Sequence, residues 1–197
     1  MKGLLFAIFI LVGCQSSAKT EKIIKTSSSQ VKINLKSLDF KQNQEIPLKN
    51  ICKEKGGENI SPDFSWKIDS NLSNLKFALI IDDEDFPCGK KEDACVHWGV
   101  FNIPSNISSL KEGEKNFKEI DKNIVIGKTY KGTFQYEGPC PPSLHHYNAT
   151  LFVLDAKAPD VEEKPKFTRS TFEEKFSKFI LGEKSIKAYF DPKRGKR

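Results

Sequence analysis

"YEGPCPPSLHHYNATLFVLD", residues 136–155, changes character twice in twenty positions. Gly138, Pro139, Pro141 and Pro142 make its first part a stiff loop, since proline fixes φ and glycine admits tight bends. His145-His146-Tyr147 follow, placing two of the chain's three histidines side by side. Ala149–Leu154 then runs almost wholly apolar, short and rich in β-branched and aromatic residues, which predicts a strand covered on both faces. Phe77–Ile81 and Val96–Ile103 have the same character. Three buried strands at the centre predict a mainly β fold. Weaker strands are expected at Val31–Leu38, Ile124–Ile126 and Lys187–Phe190, with Pro and Gly recurring between elements.

Near the C-terminus, Ser170-Thr-Phe-Glu173 has the form of a capping box. Phe172, Phe176, Phe179 and Ile180 then fall on one helical face, and Gly182 is the expected stop. This aromatic stripe reads as core packing.

The polar residues attach to the ends of the three central strands. Asp82-Asp83-Glu84-Asp85 closes the first and His97 opens the second, so an antiparallel pair brings them to one edge. If the third strand runs parallel to the second, His145 and Tyr147 reach that edge too. Asp83, His97, His145 and Tyr147 then converge. The imidazoles and the phenol are expected to donate to an anion, and the carboxylate to accept from an ammonium group or to orient a histidine. Read on spacing alone, His97 is equally a hydrogen-bonded core histidine and His145-His146 a loop pair.

The remaining segments speak to location. Residues 1–13 combine Lys2 with the apolar stretch Leu4–Val12, too short to span a bilayer but suited to a secretory signal. Leu11-Val12-Gly13-Cys14 has the form of a bacterial lipobox, with Cys14 the lipidated residue. Residues 14–30, rich in Ser, Lys and Thr, read as a tether, and residues 31–197 as one domain. A bacterial cell-envelope protein anchored by lipid is therefore expected, on the outer membrane if the envelope has two. The formal charge of +6 is spread among alternating lysines and acids, a solvated face and no nucleic-acid stripe.

In an exported protein, Cys52, Cys88, Cys95 and Cys140 suggest two disulfides. Of three pairings the favoured one is Cys88–Cys95 with Cys52–Cys140. Zinc is disfavoured because no Cys-x-x-Cys occurs.

Four ordered segments, "CKEKGGENISPDFSW" (52–66), "DDEDFP" (82–87), "HWGVFNIP" (97–104) and the opening stretch, resemble the phosphatidylethanolamine-binding protein family. The nearest likeness is to its bacterial Raf-kinase-inhibitor-like, YbhB/YbcL-type branch, over roughly residues 45–190. The resemblance implies a large central β-sheet packed with a smaller one and a few peripheral helices. It also implies a small anion pocket for phosphate-like headgroups, lined by Asp83, Asp85, His97, His145 and Tyr147 beside the loop of Gly138, Pro139, Pro141 and Pro142. Glu84 and His146 depart from the family pattern, which has Pro and Arg there. Glu84 adds a negative charge near Asp83, and His146 reads as a structural substitute.

Three function classes follow. The leading one is a binding protein for a phosphate-type or other small anionic headgroup, with no cofactor and no metal. Family relatives also suggest a module that inhibits a kinase or protease, its partner unnamed by the sequence. A metal-assisted or acid–base hydrolase is the third, although the chain has no GxSxG, P-loop or HExxH.

Overall fold

The computed structural model describes residues 31–193. Cys14, the signal segment and the tether lie outside the described residues, as does the end of the basic tail. Eight strands and two helices follow in the order β1 (Lys32–Lys36), β2 (Phe64–Asp69), β3 (Lys76–Asp83), β4 (Cys95–Pro104), β5 (Ser109–Leu110), α1 (Phe117–Ile120), β6 (Val125–Ile126), β7 (His145–Leu154), α2 (Arg169–Phe176) and β8 (Ile180–Phe190). β1, β2 and β5 form a small antiparallel sheet, and the larger sheet has the order β6-β4-β3-β7-β8. Among the described residues no helix is long and apolar enough to cross a membrane.

β3 is the central strand and is buried almost throughout because it alternates two apolar faces. Phe77, Leu79 and Ile81 join Leu35, Phe64 and Trp66 of the small sheet in the main core. Ala78 and Ile80 face the other way, into a second core with Phe152, Phe172 and Phe176, under α2. Each Phe, Leu or Ile so withdrawn from water contributes about 1.5–3 kcal/mol, which anchors β3 between the two cores. β4 and β7 both pair antiparallel with β3, one on each side, and so run in the same direction. The end of β3 and the starts of β4 and β7 consequently share one edge: Asp83 stands opposite Cys95 on one side and Tyr147 on the other.

The C-terminal elements differ from the sequence expectation. α2 is capped by Thr168, whose side chain accepts from the Thr171 N–H at 3.2 Å while the Thr168 N–H donates to Thr171 Oγ1 at 3.0 Å. Ser170 and Glu173 lie inside the helix. α2 ends at Phe176, and Ile180 and Gly182 already belong to β8, paired with Leu154 and Val153 of β7. Ile180 continues the helical spacing in sequence, but the backbone hydrogen bonds of a long β7–β8 ladder outweigh one further helical turn. Lys187–Phe190 is thus only the last part of an eleven-residue strand.

Both disulfides are present in the favoured pairing, Cys52–Cys140 and Cys88–Cys95. Cys52, Glu54 and Cys140 form the one cluster of three potential metal ligands among the described residues, and its two cysteines are bonded to each other.

Candidate functional site

Strand alternation splits the acidic run 82–85 between the two faces of the large sheet. Asp83 and Asp85 turn toward the histidines: Asp83 Oδ2 lies 2.7 Å from His145 Nδ1, and Asp85 Oδ2 lies 3.0 Å from His146 Nδ1. Asp82 and Glu84 turn toward α2. Asp82 Oδ2 accepts the Arg169 N–H at 3.1 Å, and Glu84 Oε1 pairs with the Arg169 guanidinium at 3.3 Å. The negative charge that Glu84 adds to the sequence is therefore matched by Arg169 on the opposite face. Neither Arg169 nor its role is visible in the strand pattern, because the contact joins residues 85 apart.

His97 reaches the same edge through an irregularity in β4. Ile81 pairs with Trp98 and Asp82 with Val96, which leaves His97 as the extra residue of a β-bulge. Bulges re-aim side chains in this way. The imidazole is clamped at Nδ1, 2.6 Å from the Glu137 carbonyl, while the Glu137 N–H donates to the His97 carbonyl at 2.9 Å. A carbonyl can only accept, so Nδ1 carries the proton and Nε2 is the ring's bare nitrogen in the neutral form. Burial strips water from the charged form and pushes the pKa of His97 down to about 4.

Asp83, His97, His145 and Tyr147 are each at most 3% exposed. The Tyr147 ring stands edge-on to His97 with centroids 5.1 Å apart and lies 6.5 Å from the His145 ring. Two polar atoms in this cluster, His145 Nε2 and the Tyr147 hydroxyl, are buried without a hydrogen-bond partner. Such groups cost about 1–3 kcal/mol each when left unpaired, which makes them the natural seat of a ligand or ordered water. Burial raises the pKa of both Asp83 and Tyr147, with the His145 hydrogen bond opposing the shift at Asp83. The Asp83 carboxylate also accepts the Asp85 N–H at Oδ1, 2.8 Å away.

The other predicted residues occupy the surroundings. Asp85 is half-exposed and accepts both the ring and the backbone N–H of His146, which outweigh its burial and lower its pKa. Gly138 packs against residues 50–52, where a Cβ would meet the Asn50 carbonyl oxygen at 2.6 Å. Pro139 accepts the Cys52 N–H at 3.1 Å beside the Cys52–Cys140 bond. Pro141 is buried and Pro142 exposed. These residues fix the loop that carries Glu137. Glu137 itself escaped the sequence reading, since its contribution to His97 is a backbone carbonyl that any residue supplies. Its carboxylate accepts from Thr133 at 2.7 Å and Gln135 at 3.1 Å and stands 3.4 Å from Lys131; together these outweigh its burial and lower its pKa.

Surface clefts lie elsewhere, one of them of about 490 Å³ and lined by Phe117, Ile126 and Phe134. Chemistry, more than volume, singles out the buried cluster.

A family model described as "Phosphatidylethanolamine-binding protein" matches residues 36–191. The chain belongs to this family. Among curated relatives, a UPF0098 protein of Methanothermobacter thermautotrophicus is 33% identical over 156 residues, covering 78% of this chain and 95% of its own length. Another, from Chlamydia pneumoniae, is 36% identical over 132 residues, 66% of this chain and 81% of its own. Among solved structures, the phosphatidylethanolamine-binding protein homolog CT736 of Chlamydia trachomatis aligns with TM-score 0.64 and 26% identity, over 81% of this chain and 97% of its own. Escherichia coli YbcL aligns with TM-score 0.66 at 21% identity, over 81% of this chain and 98% of its own, and so shares the fold. The two-sheet, mainly β architecture is that of the phosphatidylethanolamine-binding protein family.

Proposed function

We propose that the protein binds a phosphate-type or other small anionic headgroup at Asp83, His97, His145 and Tyr147, and that it does so from a bacterial membrane to which Cys14 anchors it. The observation that carries the site is the pair of buried, unpartnered polar atoms, His145 Nε2 and the Tyr147 hydroxyl, beside an Asp–His pair. Membership of a family described by the lipid headgroup it binds supports the ligand class. The anchor rests on the lipobox form of residues 11–14 alone. The role is binding, without metal, cofactor or turnover.

Titration with inorganic phosphate and phosphorylethanolamine, followed by two-dimensional NMR, tests the site. Saturable shifts should cluster at Asp83, His97 and residues 136–147 and vanish in His97→Ala and Tyr147→Phe. Absence of any saturable shift sinks small-anion binding. A second reading, a module that docks a protein partner over the same edge, is favoured by the exposed apolar residues beside the site: Phe86 and Leu144 follow Asp85 and precede His145, and the Tyr130 ring lies tilted against His97 with centroids 4.8 Å apart.

A further inference from the structure

The hydrogen bonds around the two buried imidazoles settle which nitrogens carry protons, and the result runs against a simple anion hole. His97 Nδ1 donates to a carbonyl, so its Nε2 is an acceptor. His145 Nδ1 faces the Asp83 carboxyl at 2.7 Å; where it donates to that oxygen, the unpartnered Nε2 of the neutral ring is an acceptor as well. The groups facing His97 are Glu137, Lys131, His145, Tyr130 and Tyr147; those facing His145 are Asp83, Asp85, His97 and Tyr147. Of these, the Tyr147 hydroxyl is the donor within the buried cluster that has no partner of its own. Two lone pairs and one hydroxyl suit a ligand that has hydrogens to give.

We propose that this site recognises oxyanions that bring their own proton, so that inorganic phosphate and phosphomonoester monoanions bind in preference to sulfate and phosphodiesters. The inference rests on the oxyanion reading above and deepens it. A P–OH group donates to one bare Nε2 while the Tyr147 hydroxyl donates to a phosphoryl oxygen. Sulfate and the phosphoryl group of a diester have no proton to offer at neutral pH and would set lone pair against lone pair. The shared chemistry is a phosphoryl group; the monoester-to-diester contrast separates a free phosphate compound from an intact lipid headgroup.

Calorimetric titration of the full chain with phosphate, phosphorylethanolamine, sulfate and glycerophosphoethanolamine between pH 5.5 and 8 provides the test. Sulfate should bind at least about fivefold more weakly than phosphate, and glycerophosphoethanolamine at least about fivefold more weakly than phosphorylethanolamine, whose ammonium group it shares. Phosphorylethanolamine affinity should fall as its phosphate group loses its remaining proton, above about pH 6. Equal affinities for phosphate and sulfate, or a diester that binds with the same pH dependence as the monoester, would place the proton on the protein and overturn the inference while leaving anion binding intact. Failure of all four ligands to bind overturns the oxyanion reading itself.

Asp83→Asn adds a test of the donor assignment. The Asp85 N–H pins the amide oxygen at the Oδ1 position, so the amide nitrogen faces His145 Nδ1 and forces the proton to Nε2. This variant should lose most of the phosphate-over-sulfate preference; an unchanged preference overturns the assignment. The ligand series on the unsubstituted protein decides the matter if the variant does not fold.

Discussion

Asp82 and Asp83 are successive residues of β3, each no more than 2% exposed, and they teach opposite lessons about buried charge. Asp82 faces α2, where the backbone N–H of Arg169 caps it and the guanidinium lies 3.8 Å away. Asp83 faces the histidines and spends its two oxygens on the Asp85 N–H and the His145 ring. Burial dominates the pKa of both and raises both; for Asp82 the value is about 6. The difference lies one bond further out. Arg169 continues to Glu84 and Glu173, further charges of the protein, and its guanidinium 3.8 Å away is what compensates Asp82 Oδ1, which accepts no hydrogen bond. His145 continues to a nitrogen with no partner. The first acid ties a helix to the sheet, and the second aims a ring at something the protein does not itself supply.

The largest test of this contrast is the pH dependence of stability. Between pH 4 and 6 the folded state holds a proton on Asp82 that the unfolded chain has released, so stability falls as pH rises through that window. Between pH 4 and 6.5 the unfolded chain protonates His97 while the folded state does not, so stability rises with pH. Each contribution is on the order of 3 kcal/mol and they oppose each other. Denaturant unfolding should therefore give a shallow profile for the unsubstituted protein, a falling one for His97→Gln and a rising one for Asp82→Asn. Parallel profiles for the two variants would dissolve the distinction between the faces.

A smaller effect is expected on the Asp83 side. Cys88 Sγ lies 3.8 Å from Asp83 Oδ2, and the Cys88–Cys95 bond closes the loop that follows the acid. Replacing both cysteines by serine should cost about 2 kcal/mol, read as a lower denaturation midpoint. Phosphate affinity should fall with it if the staple also holds the carboxylate in place. The smallest effect belongs to His146. Its pair with Asp85 is about 40% exposed on both sides, so His146→Ala should cost no more than about 0.5 kcal/mol and leave anion affinity within twofold. A large affinity loss would move His146 into the site.

Much of this architecture was legible in the sequence because burial leaves a compositional trace. The runs at Phe77–Ile81, Val96–Ile103 and Ala149–Leu154 became the three adjacent central strands, and the logic of a shared edge brought Asp83, His97, His145 and Tyr147 together. β2 leaves a weaker trace although Phe64, Trp66 and Ile68 alternate in it, since its exposed positions dilute the apolar signal. The end of α2 was misplaced because Ile180 satisfies the helical stripe and the β7–β8 ladder equally well on paper. Least legible were the contacts that set proton positions. The Glu137 carbonyl and the Arg169 backbone N–H act through groups every residue possesses.

The bulge at His97 has a consequence for how this sheet can be altered. Substituting His97 changes a side chain, whereas deleting it removes the extra position and makes Ile81–Trp98 and Asp82–Val96 consecutive rungs. The ladder would then be more regular than the natural one, with no imidazole at its edge. The irregularity is where an ordinary antiparallel sheet gives up one unit of symmetry to gain a sense of touch.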